Sequence, residues 1–97
     1  MAELSTKNPF GTRFQGIKMI ATIEFLESAI GRPNSYTKET GNDWVCETTD
    51  GDVFTIYQWN NIGIPEKNEP VEWHIGAHSS YVALTAKDEI TQLIKPL

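Results

Sequence analysis

The sequence has a single cysteine, Cys46, among 97 residues. An internal disulfide is therefore impossible, and this thiol content fits a reducing compartment. Basic residues are also scarce: eight Lys plus Arg stand against thirteen Asp plus Glu, for a formal net charge of −5. Non-specific binding to nucleic acid needs a positive surface, so this balance argues against it. No apolar run approaches the roughly 20 residues that cross a bilayer. The first sixteen residues, MAELSTKNPFGTRFQG, hold no apolar signal-peptide core, so a cytoplasmic protein is expected. Repeats and low-complexity tracts are absent. So are the CxxC and HExxH metal motifs and the GxSxG nucleophile turn.

What remains is an ordinary globular composition, 39% hydrophobic and 22% charged, at a length that suits one domain. Residues 1–9 are polar with one proline and are expected to be a flexible N-terminal leader. Residues 10–97 are expected to form a single α+β domain. Gly11–Ile20 partly alternates and predicts a strand, with Gly16 marking a bulge or a close backbone approach. Thr22–Ile30 is a helix. Thr22 caps it, Glu24 sits in the first turn, and Ile23, Leu26, Ala29 and Ile30 share a face. Gly31 and Pro33 end it.

Residues 34–43 have loop composition. The following stretch, WVCETTDGDVFTIYQW, is a hairpin with Asp50-Gly51 as a two-residue type I′ turn. That turn pairs Thr49 with Asp52, Glu47 with Phe54, Val45 with Ile56 and Trp44 with Tyr57. Both resulting faces are partly apolar, which leaves the core side open. A long loop covers 60–70. The strand Val71–His78 then alternates cleanly, with Val71, Trp73, Ile75 and Ala77 toward the core. A last helix runs from a Thr85 cap to Pro96, with Ala86, Ile90, Leu93 and Leu97 as its stripe. The order β-α-β-β-β-α predicts a small antiparallel sheet of three to four strands with two helices packed on one face.

The pieces GTRFQG, IGRPN, DWVCETTDGDVFTIYQW and EWHIGAHS together resemble a family of small, mostly uncharacterised proteins of tailed bacteriophages. The family pattern is GTSxQG, FGxP, EW, DG, TIYxWK and WHIGG, and the resemblance covers roughly residues 10 to 80. This chain departs from it at Arg13, Asn60 and Ala77, where the family has a small polar residue, a lysine and a second glycine. The resemblance implies a viral accessory protein acting in the cytoplasm of an infected bacterium, and it brings no enzymatic activity with it.

Candidate chemistry is sparse. His74 and His78 lie on one strand face but about 13 Å apart at roughly 3.3 Å per residue, too far to share one metal. Cys46 and His74 could neighbour each other across strands as nucleophile and base, but a mid-strand cysteine between Val45 and Glu47 is more often a buried hydrophobe. The carboxylate pairs Glu24/Glu27 and Asp50/Asp52 suit a helix surface and a turn. No metal, no cofactor and no catalysis are expected. The polar and aromatic groups opposite Trp73 instead suggest recognition. Arg13, Lys18, Arg32 and Lys38 are the basic candidates for a phosphate, Tyr36, Tyr57 and Trp59 the candidates for stacking a base. The expected ligand-binding set is Arg13, Gln15, Lys18, Tyr57, Trp59, His74, Gly76, His78 and Ser79. The expected ligand is small and nucleotide-like, held by a possible homo-oligomer. The alternative is direct inhibition of a host protein, and a virion or replication accessory subunit is a third class.

Overall fold

The computed structural model describes residues 1–59 and 63–93. The elements are β1 (Glu3–Leu4), β2 (Arg13–Ala21), α1 (Ile23–Ile30), β3 (Ser35–Thr37), β4 (Gly41–Glu47), β5 (Val53–Tyr57), β6 (Val71–Ala77) and α2 (Ser80–Gln92). They form an α+β structure with one six-stranded sheet in the order β1-β4-β5-β6-β2, β3 pairing β4 as well. Every pairing among these strands is antiparallel. The sheet is thus larger than the three to four strands expected. The additions are β1 and β3, which occupy stretches whose composition indicated leader and loop.

Both short strands exist because β4 offers them an edge. β3 pairs with Gly41–Asp43 and β1 with Cys46–Glu47. Between these two pairings Asn34 acts as a side-chain bridge. Its Oδ1 accepts from Val45 N at 2.7 Å, and its Nδ2 donates to Val45 O at 2.9 Å and to Ser5 O at 3.2 Å. The Val45 N–H, which would be orphaned where one partner strand gives way to the next, is thereby satisfied, while Val45 O also accepts from Ser5 N. Residues 1–9 are correspondingly not a loose leader: Ala2 is buried and Leu4 packs on the core.

The β4–β5 hairpin differs from expectation by one residue. Trp44 pairs with Ile56, Val45 with Thr55, Cys46 with Phe54 and Glu47 with Val53. Among the described residues only glycines have positive φ, so Asp50 cannot occupy a type I′ turn. The loop instead has three residues, 49–51. Gly51 takes φ +86° and donates to Thr48 O, while Thr48 N donates to Asp52 O. A one-residue slip exchanges the faces of a strand. Trp44, Cys46, Phe54 and Ile56 consequently share one side, where they join Trp73, Ile75 and Ala77.

That side is the core. Leu26 from α1 and Ala83, Ala86 and Ile90 from α2 enter the same cluster, all fully buried, and so both helices cover this face. Trp44 and Trp73 meet edge to face with centroids 5.2 Å apart. Trp73 Nε1 donates to Ala21 O at 3.0 Å and Trp44 Nε1 to Gly31 O at 2.8 Å. The two indoles therefore clamp the chain just before and just after α1, and each buried N–H finds its partner. Thr22 caps α1 as expected, accepting from Phe25 N.

α2 begins earlier than expected. Ser79, not Thr85, is its cap, accepting from Val82 N at 3.2 Å. Tyr81 and Leu84 are exposed on this helix, which masks the inward Ala83-Ala86-Ile90 spacing in the sequence. Asn60, Pro96 and Leu97 lie outside the described residues, as do the start of the 60–70 loop (60–62) and the expected end of α2.

Candidate functional site

The face opposite the helices is organised by register. His74 on β6 pairs with Tyr57 on β5 and with Lys18 on β2. The β4–β5 register carried one residue further sets Asp43 beside Tyr57. Asp43, Tyr57, His74 and Lys18 thus form one cross-strand row over four adjacent strands. At about 4.8 Å per strand the row spans about 14 Å, with a carboxylate at one end and an ammonium at the other. Its position depends on a bulge. Between the pairs Phe14–Gly76 and Lys18–His74, residues 15–17 stand opposite Ile75 alone. Gly16, at φ +78°, absorbs the extra length. Lys18 rather than Gly16 stands opposite His74 as a result, and Phe14, opposite Gly76, lies on the same face.

His74 is buried although no helix covers it, because aromatic rings do. Phe14 stacks on it at 4.1 Å, Trp59 lies near-parallel at 5.5 Å, and Tyr57 meets it edge-on at 5.7 Å. Trp59 itself is 63% exposed and is the outermost ring of this stack. His74 Nδ1 is buried without a hydrogen-bond partner. A neutral imidazole protonated at Nε2 is the species that leaves a lone pair there at least cost. Burial first, and then the Lys18 charge, hold the His74 pKa below its usual value, with Glu72 opposing. Lys18 Nζ stands 3.4 Å from Glu72 Oε1, both side chains about half exposed.

Gly76 makes the close approach on this face possible. A Cβ there would lie 2.5 Å from Thr55 Oγ1 and 3.2 Å from a Tyr57 ring carbon. The space above Gly76 belongs to these two side chains.

Beyond Tyr57 the face opens into a groove of about 460 Å³ between residues 8–12 and the β3–β4 hairpin, with Val45, Thr55 and Tyr57 on its floor. Asp43 lies in its wall. Thr40 Oγ1 is 3.0 and 2.8 Å from the two carboxylate oxygens of Asp43, and Thr37 Oγ1 in turn bonds Thr40. Burial pushes the Asp43 carboxyl up to about 6, the Thr40 hydroxyl opposing. The Tyr57 hydroxyl is raised as well, by burial first and then by the Asp43 charge.

The expected ligand set divides. Lys18, Tyr57, Trp59, His74 and Gly76 come together on this face. Arg13 pairs with Ala77, a core-side position, so it is not beside His74. Gln15 Nε2 donates to Ala77 O at 2.8 Å and spans the bulge. Ser79 is occupied as the α2 cap. His78 lies exposed past the end of β6, next to Gly11. Tyr36 pairs with Asn42 and lines a cavity with Trp44 and Trp73, on the helix side. Phe14 and Asp43 stand on this face outside the expected set; Phe14 is four residues from Lys18 and so shares its strand phase. Asp43 was masked by its loop-like neighbours.

Cys46 faces the helices and is separated from His74 by β5, so the two form no nucleophile–base pair. Burial pushes its thiol up to about 12. Among the described residues no group of three His, Cys, Asp or Glu is placed to hold a metal, and no helix is long and apolar enough to cross a membrane. Comparison with family models, curated proteins and solved structures finds no match.

Proposed function

We propose that this protein is a non-enzymatic binding protein of phage type that captures a small nucleotide-like molecule on its uncovered sheet face. The observation that carries the proposal is the exposed Trp59 indole lying near-parallel to His74, with Phe14 and Tyr57 completing an aromatic platform. Stacking on such a platform contributes roughly 1–3 kcal/mol per base. Lys18 supplies a cation at the platform's edge. The resemblance to phage proteins supplies the context: sequestration of a nucleotide signal in the cytoplasm of the infected host, as counter-defence. The platform is shallow, and a second copy of the chain would deepen it into a homo-oligomeric site.

Thermal denaturation against a panel of linear and cyclic nucleotides tests this, with tryptophan fluorescence as the parallel readout. Ligand at 100 times Kd adds roughly 2.7 kcal/mol of stability. Quenching that disappears in Trp59→Ala supports the platform; absence of any shift at millimolar nucleotide refutes it. A second function, direct inhibition of a host protein, is favoured by Phe10. This ring is 85% exposed at the groove's rim, the placement of an interface anchor. A stoichiometric host protein retained from lysate by the native chain and lost with Phe10→Ala would establish it.

A further inference from the structure

The row across the uncovered face is chemically polar, and the carboxylate at its acidic end has one side-chain donor, the Thr40 hydroxyl. The two oxygens of Asp43 have about four acceptor sites between them. Thr40 brings a single hydroxyl proton to them. Among the described residues no Lys, Arg or His forms a salt bridge with Asp43, and none lines the groove. A carboxylate that is buried but open to a groove asks for a ligand presenting hydrogen-bond donors, not acceptors.

We infer that Asp43 selects the base: it accepts the adjacent ring N–H and amino N–H of a guanine, while the ring lies against Tyr57, which shares the groove with Asp43, and the phosphate points to Lys18. This inference rests on the nucleotide-binding function proposed above and assigns its direction and specificity. Guanine alone among the common bases presents two adjacent donors on its pairing edge. Adenine and cytosine set a ring acceptor next to their amino group, which would face the carboxylate lone pairs. Uracil flanks one donor with two acceptors. The length also suits: four strands at about 4.8 Å separate the ends by about 14 Å, comparable with a mononucleotide measured from amino edge to phosphate. Lys18 is free to turn from Glu72, since an ion pair between half-exposed groups is weak.

Isothermal titration of the full chain with GMP, AMP, CMP, guanosine and inorganic phosphate tests this. GMP is expected to bind about 10–100-fold tighter than AMP or CMP, the range of one two-donor contact. Asp43→Asn should erase that preference, because an amide turns an N–H toward the guanine donors. Lys18→Gln should narrow the gap between GMP and guanosine. Equal affinity for GMP and AMP, or a preference that survives Asp43→Asn, overturns the inference and leaves the aromatic platform standing. Failure of every nucleotide to bind overturns both.

Discussion

Replacing Asp43 by asparagine is expected to stabilise the protein at neutral pH and to change little near pH 4. Burial raises the carboxyl from 3.8 to about 6. The folded pKa lies above the unfolded one, so between those two values the folded chain holds a proton that the unfolded chain releases. Stability is therefore greatest below about pH 4 and declines as pH rises through about 6. At about 1.4 kcal/mol per pH unit the full decline is about 3 kcal/mol, an upper limit. That is a large fraction of the roughly 5–15 kcal/mol that holds a domain together. Asparagine keeps an acceptor for the Thr40 hydroxyl and carries no charge to desolvate. Urea denaturation of both proteins from pH 4 to pH 8 should show a gap that opens in favour of the variant over this window. Burial and Lys18 lower the His74 pKa with Glu72 opposing, and none of these causes involves Asp43, so the His74 contribution cancels in the difference. A gap independent of pH, or a variant less stable at pH 8, would refute the burial account of Asp43. A residue that lowers the stability of the free protein while lining a groove fits a trade of stability for binding.

Gly76→Ala should destabilise by about 1–3 kcal/mol, since its methyl would meet Thr55 Oγ1 at 2.5 Å. The cost should shrink when Thr55→Ala is added, which denaturation of the four proteins of the cycle measures. Equal cost in both backgrounds would mean that the contact is not the cause. Cys46 should resist a thiol reagent at pH 8 in the folded protein and react on unfolding, because its pKa is pushed to about 12 and its side chain is fully buried. Rapid labelling of the native state would contradict this.

The parts of the fold written locally were legible in the sequence. Thr22, the Ile23-Leu26-Ile30 spacing and Gly31 define α1 within one stretch of chain, and the structure has that helix with that cap. The alternation of Val71–Ala77 assigned Trp73 and Ile75 to the core, and Gly16 marked the bulge. β1 and β3 were not legible, because two- and three-residue strands are made by the edge they meet and carry no period of their own. The start of α2 was obscured by Tyr81 and Leu84, apolar residues that point to solvent. Asp50-Gly51 located the hairpin turn but not its type, and the type decides which residues share a face.

Sequence alone therefore determined the α+β class, the central order of elements and the aromatic and histidine content of β5 and β6. It also placed Lys18, Tyr57, Trp59 and His74 among the candidate recognition residues. Only the tertiary structure decided that Asp43, Tyr57, His74 and Lys18 stand in one row. Those four come from four strands, and their alignment depends on two register choices. One is the three-residue loop at 49–51, which pairs Trp44 with Ile56. The other is the bulge at 15–17, which sets Lys18 opposite His74. Each choice is a difference of a residue or two, fixed by which side chains the core accepts across strands far apart in sequence, and no local pattern carries that information.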